Sequence, residues 1–121
     1  MAIVDATKET LEGLITGNDI VLVDFWAPWC GPCQQFAPVY ESISEQYAAI
    51  VFSKVNTEEE QELAAHFQIR SIPTLMVFRE QIIVYSQPGA LPPAGLTTII
   101  DKVNELDMDA VRKEIEAAEA G

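Results

Sequence analysis

The sequence predicts an α/β domain in which helices cover both faces of a mixed β-sheet. In the first two thirds of the chain, apolar runs typical of buried strands alternate with segments whose apolar residues recur at spacings of three and four. Two short apolar runs then follow at 74–78 and 82–85, close enough to form a β-hairpin, and a helical pattern covers 96–103. Strands joined by helices, followed by a hairpin, give such a sheet.

The first predicted elements are a helix over residues 5–16 and a strand over 20–26. Gly17 follows the helical pattern and is a natural stop. The strand is apolar throughout apart from Asp24, which indicates that both of its faces are buried.

The strand runs into Trp29-Cys30-Gly31-Pro32-Cys33, a segment that contains both cysteines of the chain. Helical spacing resumes directly after it and predicts a helix over about 32–48, with Pro38 expected to kink it. The cysteines therefore lie where a turn becomes the first turn of a helix.

This placement predicts redox chemistry. The free N–H groups and the dipole of a helix N-terminus stabilise a thiolate, so we expect the pKa of Cys30 to lie below that of an ordinary thiol. Gly31 lets a partner approach closely, and Pro32 suits a first-turn position. We expect Cys30 to be an attacking thiol at the surface and Cys33 to be a shielded resolving thiol behind it.

Other uses of the two cysteines predict different properties. A structural disulfide across so short a loop would contribute only about 2 kcal/mol. Structural zinc usually needs four Cys or His ligands, and the sequence offers only His66 besides the cysteines. A metal or iron–sulfur site would therefore have to be shared between two chains.

The second half of the chain is predicted from similar patterns. Residues 50–55 form a near-continuous apolar strand, and Thr57 with Glu60 resembles a capping box that opens a helix over 58–66. Residues 107–121 continue at helical spacing beyond a domain of residues 1–106. This extension could dock on the core, join two chains or fray.

Composition bounds the function. The 121 residues suffice for one domain with its own core, and a net charge of −12 excludes a basic surface for nucleic acid or anionic membranes. No apolar segment approaches the roughly 20 residues of a membrane span, and no secretory signal is visible. Two closely spaced cysteines without an export signal predict a cytoplasmic protein.

The segment Val23–Cys33, with the sequence VDFWAPWCGPC, resembles the active-site segment of the thioredoxin family. Residues Ile69–Thr74 resemble the family's cis-proline loop, and the similarity extends over about 5–106. Three single residues also match in place: Lys54, Gly89 and Ala90. The resemblance implies a thioredoxin fold, here with a short extra C-terminal helix.

The resemblance also implies a protein-disulfide reductase that contributes to cell redox homeostasis. Cys30 would attack a substrate disulfide, and Cys33 would then release the reduced substrate and leave a Cys30–Cys33 disulfide. No cofactor would be bound, since a thioredoxin reductase would restore the thiols with electrons from NADPH through its flavin. The implied partners are that reductase and disulfide-containing proteins, and the protein would be a monomer.

Two charged residues are expected to support the chemistry. Burial raises the pKa of a carboxyl group, so Asp24 could accept the proton of Cys33, as its place in the family implies. Lys54 would tune Asp24. The alternative for Asp24 is a structural carboxylate at the end of a strand, held by the backbone or by Lys54. The alternative for Lys54 is an ordinary exposed lysine on a strand.

A flat, mostly apolar surface around Cys30 is expected to bind substrate. The family implies a cis peptide bond between Ile72 and Pro73, with the Ile72 backbone free to pair with an extended substrate; the alternative is a trans proline that starts an edge strand. The expected members of this surface are Trp29, Gly31, Pro32, Ile72, Pro73, Gly89 and Ala90. Trp26 is expected mainly to pack in the core.

The sequence departs from the family pattern at several places. Gln34 follows Cys33 where lysine is common, Pro88 cannot donate a hydrogen bond to substrate, and the hairpin turn Arg79-Glu80-Gln81 lacks glycine. Two rival functions also stand. A thiol oxidase or isomerase usually carries histidine between its cysteines and an export signal, and a binding module would retain its role without either cysteine.

Overall fold

The computed structural model describes residues 3–120. Its centre is a five-stranded sheet of order β1-β3-β2-β4-β5. The strands β1, β3 and β2 pair in parallel, β4 pairs antiparallel with β2, and β5 pairs antiparallel with β4. The strands are β1 (Ile3–Asp5), β2 (Ile20–Trp26), β3 (Val51–Asn56), β4 (Thr74–Arg79) and β5 (Ile82–Pro88). The helices are α1 (Leu11–Gly17), α2 (Gly31–Ser44), α3 (Gln61–His66), α4 (Pro93–Glu105) and α5 (Met108–Ala120).

The central strand β2 explains why helices cover both faces. Successive side chains of a strand point to opposite faces, and every residue of β2 before Trp26 is buried. Leu22 packs in a core with residues of α2 and α4, whereas Val23 packs in a second core with residues of α1 and α3. The predicted mixed sheet with helices on both faces is confirmed.

The prediction of one helix over residues 5–16 is wrong. Residues Ile3–Asp5 instead form β1, which pairs in parallel with Phe52–Lys54 of β3, and the helix begins only at Leu11. Pairing with a strand some fifty residues away overrides the local helical pattern, because β1 pairs with β3 along its whole length and Ile3 packs against the core. The helix α2 is also shorter than expected and ends at Ser44.

The predicted capping box does not form. The helix α3 begins at Gln61, and Glu60 precedes it without a side-chain cap. The Thr57 hydroxyl donates instead to the Trp26 carbonyl oxygen at 2.9 Å, and the Glu60 carboxylate accepts the backbone N–H of Lys8 at 2.8 Å. Both side chains thus hold neighbouring segments together at the end of the sheet where β2 and β3 finish.

The hairpin between β4 and β5 turns through two residues with positive φ. Arg79 pairs with Ile82, and between them Glu80 and Gln81 adopt φ values of 51° and 69°. Two positive φ values in a two-residue loop are typical of a type I′ turn, which normally contains Asn or Gly. The sequence lacks that signal, so only the structure defines the turn.

We expect Gln81→Gly to raise the free energy of unfolding by about 1 kcal/mol, because glycine adopts positive φ without the steric cost that other residues pay. Urea denaturation measures the change. The matched control is Gln87→Gly on β5, where strand conformation favours a side chain and glycine should destabilise by roughly 0.5–1 kcal/mol. A loss of stability in both variants would contradict the assignment of the turn.

The extra C-terminal helix α5 docks on the hairpin turn of the same chain. Arg112 forms ion pairs with Glu80 of the turn and with Asp109 of its own helix, and Met108 is buried. Arg79 donates to the carbonyl oxygens of Val103 and Leu106 where α4 ends.

Within residues 3–120, no helix combines the length and the apolar character needed to cross a membrane.

Candidate active site

The two cysteines form a disulfide at the junction of β2 and α2. Their Cα atoms lie 5.2 Å apart, within the usual range for a disulfide. Cys30 is the N-cap of α2, and the backbone N–H of Cys33 donates to the Cys30 Sγ at 3.2 Å. Pro32 lies in the first turn of the helix, so the expected strand–turn–helix setting of the motif is confirmed.

The expected difference in exposure between the two cysteines is wrong for this disulfide form. Cys30 is 4% exposed and Cys33 is 3% exposed, because Trp26, Ala27 and Ile72 pack around the pair. Their surroundings differ instead. The Cys30 Sγ lies 3.7 Å from the carbonyl oxygen of Ile72, whereas Cys33 lines a small cavity together with Asp24.

A loop from the opposite half of the fold lies against Cys30. The peptide bond between Ile72 and Pro73 is cis, as the resemblance implies. The Pro73 carbonyl oxygen accepts the N–H of Gly89 at 2.8 Å, and Gly89 has a φ of 113°, which only glycine adopts easily. The topology thus brings Ile72, Pro73 and Gly89 to the cysteine end of the sheet.

The remaining residues of the expected substrate surface are exposed. Trp29 is the most exposed large apolar side chain of the described residues, at 68%. Gly31, Pro32 and Ala90 are also exposed. The Gln34 amide donates to the Pro28 carbonyl oxygen at 2.8 Å, so this uncharged side chain braces the turn before the motif.

Sequence reasoning missed Glu58. The Trp29 indole N–H donates to its carboxylate, although the acidic run around Glu58 reads as an ordinary solvated segment. The contact depends on the parallel pairing of β2 and β3, whose carboxyl ends lie side by side, and the N–H of Thr57 donates to the Trp26 carbonyl oxygen there. No local sequence signal identifies such a partner 29 residues away.

Asp24 is a buried carboxyl group behind the cysteines. It is 2% exposed, and its Oδ1 has no hydrogen-bond partner among residues 3–120. Burial raises the pKa of Asp24 to about 7, and the positive charge of Lys54 opposes this rise. Asp24 is therefore close to half-ionised at neutral pH, as a group that exchanges a proton near pH 7 needs to be.

Lys54 lies beside Asp24 in the sheet register but contacts a different group. The Lys54 Nζ stands over the Trp26 ring, 4.2 Å from its centroid, in a cation–π arrangement. Lys54 is half-buried rather than fully exposed. The ammonium group thus lowers the pKa of Asp24 through its charge while the Oδ1 of Asp24 stays open to other partners.

Two cavities adjoin the Asp24 carboxyl group. The smaller, of about 70 Å³, is lined by Asp24, Trp26, Cys33, Gln34, Ala37 and Lys54. The larger, of about 140 Å³, lies between Asp24 and the exposed carboxylates of Asp5 and Glu41. Across residues 3–120, no three His, Cys, Asp or Glu side chains are grouped so as to hold a metal ion.

A cysteine pair that can close a disulfide at a helix N-terminus supports one chemistry in particular. The helix stabilises the thiolate that attacks a foreign disulfide, and the second sulfur is near enough to displace the product. The protein is therefore a thiol–disulfide oxidoreductase.

Comparison with known proteins defines the class more narrowly. The Thioredoxin family model matches residues 2–102. The chain is 54% identical to a putative thioredoxin 2 of Streptomyces coelicolor, over 98% of this chain and 90% of that protein. It is 47% identical to thioredoxin 1 of Synechococcus elongatus, over 84% and 94%. A mutant thioredoxin of Halobacterium salinarum superimposes with a TM-score of 0.80 at 33% identity, over 86% and 92%. The chain belongs to the thioredoxin family.

Proposed function

We propose that this protein reduces protein disulfides in the cytosol, with Cys30 as the attacking thiol and Cys33 as the resolving thiol. The observation that carries this assignment is the hydrogen bond from the Cys33 N–H to the Cys30 Sγ at the start of α2. The same N–H would stabilise a Cys30 thiolate in the reduced protein, so Cys30 is the better nucleophile of the two.

The exchange proceeds in two steps. The Cys30 thiolate attacks one sulfur of the substrate disulfide, forms a mixed disulfide and expels the first substrate thiolate. Cys33 loses its proton and attacks the Cys30 sulfur, which forms the Cys30–Cys33 disulfide and expels the second thiolate. Each thiolate takes up a proton, so the substrate gains two electrons and the protein loses two.

Asp24 is the acceptor for the Cys33 proton in this scheme. It lines the same cavity as Cys33, and its pKa of about 7 leaves part of the carboxyl group ionised and able to accept a proton at neutral pH. Lys54 tunes this acceptor, since its charge lowers the pKa of Asp24. Ionisation of Cys33 and protonation of Asp24 then move charge between two groups without creating a second buried charge.

The groups around Cys30 bind substrate, and all of them are exposed except the half-buried Ile72 and the buried Pro73. An extended substrate strand can pair with the backbone of Ile72 beside the cis proline, while the exposed Trp29 ring and the first turn of α2 contact its apolar side chains. The full set proposed for binding is Trp29, Gly31, Pro32, Ile72, Pro73, Gly89 and Ala90. Pro88 has no N–H to add to this set.

Electrons reach the protein from NADPH through a thioredoxin reductase. Residues 1–106 form the catalytic domain, and residues 107–121 are an extension. The end of the family match at residue 102 supports this division. The protein itself carries no cofactor in this scheme, as is usual in its family.

The reduction potential of the Cys30/Cys33 pair tests the direction of the reaction. Equilibration against dithiothreitol, with the two redox states separated after alkylation, is expected to give about −270 mV, the value typical of thioredoxins. A value of about −180 to −120 mV, as in isomerases and oxidases, would instead mean that the protein donates disulfides.

A further inference from the structure

Two orphaned polar groups belong to residues that line the cavity behind Cys33. The indole Nε1 of Trp26 is a buried donor, and the Oδ1 of Asp24 is a buried acceptor; neither has a hydrogen-bond partner within residues 3–120. Both residues line the cavity of about 70 Å³ that also reaches Cys33. Buried polar groups are nearly always paired, so a donor and an acceptor left open at one cavity indicate a shared partner.

The cavity is large enough to hold that partner, and Asp24, Gln34 and Lys54 contribute polar or charged side chains to its mainly apolar lining. A water molecule occupies roughly 30 Å³ of liquid volume, so the space admits one or two. Asp24 and Trp26 lie two residues apart on β2 and on the same face, roughly 6.6 Å apart along the strand. A water in a cavity that both residues line can accept the indole N–H and donate to the carboxylate.

We propose that Trp26 is a positioning residue for the resolving step, and that its indole N–H holds a water molecule between the Cys33 sulfur and the Asp24 carboxylate. The inference rests on the proposed function, since it assigns the path by which the Cys33 proton leaves. The proton passes from the Cys33 thiol to the water, and a different proton of that water passes to the Asp24 Oδ1. The water is restored, and the Cys33 thiolate is ready to attack Cys30.

The contact with Lys54 supports this role for Trp26. The ammonium group over the ring fixes the position of the indole, and it remains near the carboxylate without occupying the Oδ1. A direct ion pair between Lys54 and Asp24 would instead occupy the Oδ1 to which the water donates. Core packing alone would account for the ring of Trp26 but not for a buried N–H that has no partner among residues 3–120.

The Trp26→Phe variant tests the N–H while it keeps an aromatic ring under Lys54. Loss of the donor removes a hydrogen bond to the water that stabilises the carboxylate, so the Asp24 pKa is expected to rise by at least about 0.5 units. The carboxyl ¹³C shift of Asp24 in the oxidised protein measures it. Trp29→Phe, which removes an indole N–H outside the cavity, is the matched control and should leave this titration unchanged. An unchanged or lowered Asp24 pKa in Trp26→Phe would overturn the inference.

The indole N–H signal provides a second test that needs no folded Trp26 variant. In the unaltered protein, the Trp26 N–H shift is expected to titrate with the same midpoint as Asp24 and to stay constant in Asp24→Asn. A Trp26 N–H shift that does not change as Asp24 titrates would also overturn the inference. The other titratable groups that line the two cavities beside Asp24 are the same in all these variants: Lys54 on β3, Tyr40 and Glu41 on α2, and Asp5 on β1. Cys33 is in the disulfide in the oxidised protein and does not titrate.

Single-turnover kinetics links the water to the reaction. The pH profile of product release from the mixed disulfide should shift upward in Trp26→Phe by the same amount as the Asp24 pKa. In an Asp24→Asn background, Trp26→Phe should cause no further shift, and a further shift there would count against the proposal. If the unaltered protein releases no reduced product, the proposed function fails, whereas the carboxyl titration still decides whether Trp26 and Asp24 share a water.

Discussion

Replacing Cys30 by serine is expected to abolish disulfide reduction completely. The hydroxyl of serine is not ionised at neutral pH even where it accepts the N–H of Cys33, so no nucleophile remains to open the substrate disulfide. Cys33 does not take over, because the N–H at the start of α2 donates to the Cys30 sulfur and not to the Cys33 sulfur. The loss of free thiol released from a disulfide-bonded test protein, with the prereduced variant in excess, measures the effect.

Replacing Cys33 by serine is expected to stop the same reaction halfway. Cys30 still attacks, but nothing displaces it, so the variant accumulates as a mixed disulfide with one substrate chain per molecule. Intact-mass measurement under acidic quench detects this adduct. If the Cys33→Ser variant turned over, or if Cys30→Ser rather than Cys33→Ser formed the adduct, the roles assigned to the two sulfurs would be reversed or wrong.

The local part of the site was predictable from the sequence because it depends on neighbouring residues. A buried strand, a turn and a helix follow one another within Ile20–Ser44, so the position of the cysteines at a helix N-terminus follows from spacing alone. The burial of Asp24 follows from the apolar run around it. The cis bond before Pro73 was implied only by the family resemblance, since composition alone favours trans.

The non-local part of the site could not be predicted. The three residues of β1 carry too short a pattern to identify a strand, and their pairing with β3 decides their structure. The contacts of Trp29 with Glu58 and of Lys54 with the Trp26 ring depend on which side chains the parallel strands place together. Likewise, the burial of Cys30 depends on the packing of Ile72, which belongs to a loop 42 residues further on.

Replacing Asp24 by asparagine is expected to stabilise the oxidised protein at neutral and alkaline pH. Asp24 has a folded-state pKa of about 7 against an ordinary value of 3.8. Below pH 3.8 the carboxyl group is protonated in both the folded and the unfolded chain, so its titration does not change the free energy of unfolding. Between the two values the unfolded chain releases the proton and the folded chain keeps it, so stability falls as pH rises and levels off above the folded-state pKa.

The size of this effect follows from the shift. Three pKa units correspond to about 4 kcal/mol, which the unaltered protein loses between acidic and alkaline pH. The buried amide of asparagine leaves donors short of partners at a cost of about 1–3 kcal/mol, so the net gain at pH 8 is expected to be about 1–3 kcal/mol. The change in the pH dependence of stability is a clearer measure than the net gain at pH 8, because the cost of burying the asparagine amide does not vary with pH.

Urea denaturation of the disulfide form at several values of pH tests the prediction. The decline in stability between pH 3.8 and about pH 7 should be much smaller in Asp24→Asn than in the unaltered protein. The matched control is Asp5→Asn, which removes an exposed carboxylate from the same row across the sheet and should leave the decline largely intact. Parallel stability curves for the unaltered protein and Asp24→Asn would show that Asp24 is ionised at little cost in the fold. The carboxyl group would then lack the raised pKa that its role as proton acceptor for Cys33 requires.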